Sequence, residues 1–209
     1  MSQKINVEGV IYLLNKLKRL RITPIFLSSE MVFDGLKGNY SESETPNPIL
    51  LYGKQKLSVE KYIKTNFDKY LIFRLAKIYS TTIGDSSILN QFYNNIKNNT
   101  ITHYASDQLF SPTAQNDFEN IIKFALNSDL SGLFHVSSGA NISRWEFFKL
   151  FANKIGGTLR ARECSLSDLD FLEPRPKNLT LNNKKLVSAS NYNFLSPMDG
   201  INIWLSRNI

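Results

Sequence analysis

Cysteine is almost missing from this chain. Cys164 is the only one, so no internal disulfide can form, and no Cys or His stands near it at metal-ligand spacing. It reads as a structural thiol, and no metal is expected. Long apolar runs are missing too, and none approaches the length that crosses a bilayer. The opening stretch, MSQKINVEG, has no apolar signal core. No membrane partner is expected, and the setting is read as cytoplasmic. The seven prolines and ten glycines are dispersed, which excludes collagen-like and linker-like tracts.

Hydrophobic residues make up 42% of the 209 positions, enough to bury a core in one large domain or two small ones. The formal charge of +7 raises nucleic acid as a partner. Basic residues are nonetheless interleaved with acids along the chain. The one dense cluster, Lys16, Lys18, Arg19 and Arg21, sits where a helix should end, and cations there offset the carbonyl end of the helix dipole. No nucleic-acid partner is expected.

Val7, Val10, Ile11, Leu14 and Leu17 repeat at the three-and-four spacing of an amphipathic helix. TPIFLSS follows as a buried parallel strand, then a loop, DGLKGNYSESETPNP. The pattern predicts a helix over Leu51 to Ile63 and a buried strand over Tyr70 to Leu75. This alternation predicts an α/β chain with part of a doubly wound, Rossmann-type parallel sheet. Further on, helices are predicted near Ile88 to Asn98, Asn116 to Asn127 and Arg144 to Ile155. The last is capped by Ser143 and ended by Gly156-Gly157. Strands are predicted at Thr100 to Tyr104 and Leu133 to Val136, and a stretch around Asn182 to Ser188 and a helix at Trp204 close the chain.

Tyr52 and Lys56 are four apart on a predicted helix and share a face. Ser28-Ser29 ends the preceding strand, at the carboxyl edge where open α/β sheets bind ligands. A tyrosine needs a neighbouring cation to reach acid/base work near neutral pH, because its unperturbed pKa is about 10. Lys56 could supply the charge and Ser29 a hydrogen bond to a substrate oxygen, while Tyr52 gives a proton to a carbonyl.

By itself a Tyr and a Lys at this spacing are a weak signal. The order Ser-Ser-x-x-Val-Phe-Asp-Gly, Pro-x-Pro, then Tyr-Gly-Lys-x-Lys-Leu and Glu60 resembles the extended short-chain dehydrogenase/reductase family. Within it, the likeness is to dTDP-4-dehydrorhamnose reductases and their sugar-nucleotide-binding relatives. Asp107-Gln108 with Ser111-Pro112-Thr113 resembles that family's DQxGxPT loop. GLFHVSSGANISRWEFFKLF resembles its strand and helix, and Arg175-Pro176 with LTLNNKKL its tail.

The resemblance implies Ser29, Tyr52 and Lys56 as the catalytic set, with Tyr52 and Lys56 also meeting NADPH or NADH. It implies Ser29, Glu30, Gln108 and Arg175 as contacts for a nucleotide sugar. Residues 1–80 would be the remnant of an NAD(P)-binding Rossmann domain. Residues 81–209 would be mainly a smaller α/β substrate-binding lobe, with some segments returning to the Rossmann core. The implied activity is reduction of a 4-keto nucleotide sugar. An epimerase of the same superfamily and a non-catalytic sugar-nucleotide-binding or regulatory subunit are the alternatives. Dehydration is disfavoured, because Met31 stands where dehydratases carry the second acid of an Asp-Glu pair.

The sequence departs from the family at Phe110, which replaces the loop glycine, at Met31, and at the front. No GxGxxG or GxxGxxG occurs, so the phosphate cradle at a helix amino terminus is missing. The main cofactor-binding half is expected to be absent from this chain, and the isolated chain to be inactive. A homodimer, or a chain supplying the missing half, is the expected partner.

Other residues draw plainer expectations. Ser28 reads as a strand-end or helix-cap serine and Glu60 as a surface partner for Lys54 or Lys56. Trp145, Phe147 and Phe148 read as core, His135 as a hydrogen-bonded core histidine, and His103 has no evident partner. Asn6 matches a helix asparagine that the family keeps near its lysine, or is a plain helix-start residue.

Overall fold

The computed structural model describes residues 1–156 and 160–209. A π-helical turn, Lys4–Gly9, runs into α1 (Val10–Arg19). Strand β1 (Ile25–Ser29) ends in a single 3-10 turn at Glu30–Val32. Then come α2 (Leu51–Asn66), β2 (Leu71–Leu75), β3 (Ile78–Tyr79) and α3 (Ile88–Lys97). Three short strands follow, β4 (Thr102–Ala105), β5 (Leu109–Phe110) and β6 (Thr113–Ala114), before α4 (Gln115–Leu126) and β7 (Gly132–Val136). The chain closes with β8 (Ile142–Ser143), α5 (Arg144–Ile155), β9 (Ala161–Cys164), α6 (Lys184–Ser190) and α7 (Pro197–Asn208).

β1, β2 and β7 form a parallel sheet in that order. Its side chains alternate faces, as strand geometry requires. Ile72 and Leu133 pack with Val7, Leu14, Val59 and Ile63 from the helices on one face. Leu71, Phe73, Phe134 and Val136 pack with Ile121, Ala125 and Leu186 on the other. Helices therefore cover both faces, the doubly wound arrangement expected. A second core gathers α3, α5 and α7 around Phe92, Phe147, Phe151 and Trp204. There the strand pairs β3–β6, β4–β9 and β5–β8 are short.

Local chemistry sets the helix ends. Ser143 and Glu146 form a reciprocal capping box at the start of α5, a device that stabilises a helix by about 1 kcal/mol. Gly156 ends that helix in the left-handed conformation. Gly157, expected to share that role, lies outside the described residues. Phe147 and Phe148 are buried in the core as expected and Trp145 is packed against it. His135 is fully buried with its Nδ1 against the Tyr40 carbonyl at 3.1 Å. The cations Lys16, Lys18 and Arg19 occupy the last turn of α1.

Two expectations are corrected. β1 is not buried like a central strand: it is the outer strand of the sheet, and Ile25 and Leu27 are exposed. Glu60 is no surface partner for Lys54 or Lys56. It is fully buried, and its two oxygens accept from Arg74 Nε at 3.0 Å and Nη2 at 2.7 Å. Ser28 lies at the strand end, as expected, and its hydroxyl donates to the same carboxylate at 2.5 Å. The reason is register: Ser28 and Arg74 are paired across β1 and β2, on the face that α2 covers.

Removing one member of a buried ion pair strands the other, which costs about 3–5 kcal/mol. Glu60→Ala should therefore lower the urea midpoint far more than Ser28→Ala, which removes one hydrogen bond worth about 1 kcal/mol. Equal midpoints for the two variants would show that the carboxylate is not holding the guanidinium.

Candidate functional site

The carboxyl ends of β1 and β2 open into a cavity of about 390 Å³. Ser29, Glu30, Tyr52, Lys77, Glu173 and Arg175 are among its lining residues. Each arrives by a different local device. The Ser29 hydroxyl accepts the Met31 N–H at 3.2 Å and so starts the turn that presents Glu30. Tyr52 lies in the first turn of α2, and next to it Gly53 lets that turn approach closely. A Cβ at Gly53 would collide with the Met31 carbonyl. Arg175 is placed by the tail: Asn178 donates its N–H to the Gly35 carbonyl at 3.0 Å, and Tyr40 and Leu181 form a parallel bridge.

Tyr52 is half-exposed, and no side-chain hydrogen bond fixes its phenol among the described residues. Lys56 does not line the cavity. Its Nζ donates to the Leu27 carbonyl at 2.7 Å and lies 5.5 Å from the Tyr52 ring centroid. Burial lowers the Lys56 ammonium, partly offset by the Glu60 charge. Burial raises the Tyr52 phenol, and the nearby Glu30 adds to the rise. The expected lowering of Tyr52 by Lys56 is therefore not seen: burial is the largest influence on the phenol.

Glu30 is 5% exposed, and its Oε2 has no hydrogen-bond partner. Desolvation pushes its carboxyl up to about 8, against the opposing pull of Arg144, Lys77 and the Lys77 backbone N–H. It is mostly an uncharged acid at neutral pH.

Gln108 is not among the lining residues. Its Oε1 accepts from Arg144 Nε at 2.7 Å, and its carbonyl accepts the Arg144 N–H at 3.2 Å. Asp107 holds Lys177 at 3.0 Å and caps the turn at Leu166, whose N–H it accepts at 2.6 Å. Asn6 reaches α2, donating to Gln55 Oε1 at 2.8 Å, one residue from Lys56. Lys77 and Glu173 are lining residues that no sequence pattern singled out. Only Lys77 had a positional hint, following a strand at its carboxyl end. Cys164 is partly buried, and among the described residues no group of His, Cys, Asp and Glu could hold a metal. Nor is any described helix long and apolar enough to cross a membrane. A larger groove of about 750 Å³ between α5 and α7 holds none of the predicted site residues.

A doubly wound sheet with a serine at a strand end, and Tyr and Lys one turn apart on the next helix, defines the extended short-chain dehydrogenase/reductases. Within them, the family model described as the RmlD substrate binding domain matches residues 1–196, and the chain belongs to that family. It is 30% identical to a probable low-salt glycan biosynthesis reductase of Haloferax volcanii, over 75% of this chain and 54% of that protein. It is 28% identical to a dTDP-4-dehydrorhamnose reductase of Sinorhizobium fredii, over 87% of this chain and 65% of that one. The chain thus spans less than two thirds of the length of these two relatives. In fold it superposes on the crystal structure of a dTDP-4-dehydrorhamnose reductase from Bacillus anthracis in complex with NADP. The TM-score is 0.87 at 22% identity, covering 96% of this chain and 71% of that one.

The raised acidity constant of Glu30 has a consequence for stability. The folded protein keeps a proton that the unfolded chain gives up between its ordinary value of 4.5 and about 8. The stability due to this group is therefore present below that window and is lost as pH rises through it. Glu30→Gln removes the dependence. Its Tm should match the parent near the acid end and exceed it increasingly towards the alkaline end. A constant Tm difference across the window would show that Glu30 ionises normally.

Proposed function

We propose that this chain provides the catalytic and substrate-binding part of an NAD(P)-dependent reductase of a 4-keto nucleotide sugar. The observation that carries the reading is one cavity holding Ser29 and Tyr52, with Lys56 beside the tyrosine ring. Residues 1–80 would then belong to the dinucleotide side, and residues 81–209 mainly to the sugar side.

The residues suit a nicotinamide. Lys56 uses one ammonium hydrogen on Leu27 and keeps two for ribose hydroxyls, and Tyr52 is half-exposed beside it. Bound there, the reduced cofactor would supply the hydride. Ser29 would donate a hydrogen bond to the substrate carbonyl oxygen, and Tyr52 would give that oxygen its proton as the carbon is reduced. The Lys56 charge would then stabilise the phenolate left behind. Arg175, at the cavity wall, would meet the diphosphate.

The state of Tyr52 favours reduction over epimerisation. An epimerase that works by transient oxidation must begin with a tyrosinate. Here burial holds the phenol in its protonated form, which is the donor a reduction requires.

The sequence has no glycine-rich phosphate cradle, and the exposed Ile25 and Leu27 on β1 offer an open strand edge. A dinucleotide-binding half pairing there, on a second chain or within a longer one, would complete the enzyme. By calorimetric titration the chain alone should bind NADPH weakly or not at all. Tight binding would overturn that division of labour. With such a half supplied, a dTDP-4-keto-6-deoxy sugar should consume NADPH stoichiometrically, and Tyr52→Phe should abolish it. Sugar turnover without net NADPH oxidation would place the protein among the epimerases.

A further inference from the structure

Helix α1 is apolar on two opposite sides. The Lys4–Gly9 turn and α1 run on as one helix, since Gly9 and Val10 both keep helical backbone angles. Val7, Val10, Ile11, Leu14 and Leu17 face the sheet and pack with Val59, Ile63 and Ile72. Ile5, Gly9, Tyr12, Leu13, Lys16 and Leu20 recur at the three-and-four spacing of the other side, and all are exposed. Ile5, Tyr12, Leu13 and Leu20 keep between 56% and 68% of their surface in water. A surface helix normally turns polar groups outward, as α2 does with Lys54, Ser58, Lys61 and Thr65. An apolar seam on the solvent side of a helix marks a contact surface.

A dinucleotide half pairing with β1 would extend the sheet sideways and add helices to the layer that α1 and α2 already form. The seam points away from that layer, so such a half leaves it open. It does fit a copy of itself. Its positions are symmetric about the point between Tyr12 and Leu13: Ile5 and Leu20 lie equally far from it, and so do Gly9 and Lys16. Two α1 helices packed antiparallel about a two-fold axis bring Ile5 onto Leu20 of the second copy. Tyr12 and Leu13 then meet their own counterparts at the centre. Gly9, having no side chain, leaves room for the aliphatic stem of Lys16. The charges agree with this direction. Glu8 and Arg19 lie about three helical turns apart on one flank of the seam, and neither takes part in an ion pair among the described residues. Antiparallel packing sets each near the other across the axis. Parallel packing would instead set the cations Lys16, Lys18 and Arg19 against their own copies. We propose that two copies of this chain associate through the outward face of α1, antiparallel, with Leu13 at the two-fold axis and Glu8 opposite Arg19.

The test is sedimentation equilibrium of the purified chain over a wide range of concentration, which should show its mass doubling. Leu13→Glu would bring two carboxylates together at the centre of the interface, so it should weaken association roughly a hundredfold. Glu8→Arg should weaken it roughly tenfold, and adding Arg19→Glu should restore it. All three positions are exposed, and unchanged Tm values would document that folding is intact. A chain that stays monomeric at every concentration overturns the proposal. So does a dimer that withstands Leu13→Glu but dissociates with Leu27→Lys, since the copies would then be paired at the β1 edge. A double variant that remains as weak as Glu8→Arg overturns the antiparallel pairing. None of these outcomes touches the nucleotide-sugar reading.

Discussion

The buried contact between Glu60 and Arg74 is the constraint on which the site depends. It joins helix α2 to strand β2, and through Ser28 it takes in β1 as well. These three elements carry Ser29, Tyr52 and Lys56. Glu60 lies one helical turn beyond Lys56, so the tie fixes the rotation of α2 about its own axis. Hydrophobic packing by Val59 and Ile63 alone would tolerate some rotation, because apolar contact is not directional. A bidentate carboxylate–guanidinium pair is directional. A buried ion pair is weak evidence for stability in itself, since desolvating two charges costs much of what their attraction returns. Its role here is better stated as register, and Arg74, stacked 5.1 Å over Phe33, carries the same constraint into the loop after β1.

How much of this the sequence disclosed depends on how local each interaction is. Helices α2 to α5 were predicted within a few residues because their periodicity and caps are contained in their own segments. The Ser143–Glu146 box is legible from four letters. Strands β3, β5, β6 and β8 are two residues each, too short to show an alternation, and they went unpredicted. The π-helical turn at Lys4–Gly9 left no trace in the spacing of Val7 and Val10.

The errors have the same origin. Glu60 is surrounded in sequence by lysines at 54, 56 and 64, so a surface ion pair was the natural expectation. Its true partner is on the next strand. β1 was expected to be buried because its residues are apolar, yet burial of a strand depends on what lies on either side of it. The spatial grouping was legible where a motif held residues close together: Ser29 and Tyr52 line one cavity, with Lys56 beside the tyrosine ring. It was illegible where topology brings distant residues together: Lys77 follows β2, and Glu173 arrives from the tail. Gln108, expected as a substrate contact, accepts from Arg144 and is not among the residues that line the cavity.

One electrostatic pattern unites these residues. Burial raises Glu30 and Tyr52 and lowers Lys77 and Lys56, so the two acids retain protons while the two amines hold theirs less firmly. An active site that had to begin by abstracting a proton would need the opposite bias at its tyrosine. A site that waits for a carbonyl to gain negative charge is served by this one. Its acid is protonated in advance, and the cation beside it becomes most useful only after the proton has left. Lys56 is already anchored to the Leu27 carbonyl, so little reorganisation of the protein is needed when that charge appears. The same anchoring ties the chemistry to the exposed strand. A strand that paired with β1 would hold still the backbone that carries the Leu27 carbonyl, and with it Lys56 beside the proposed proton donor.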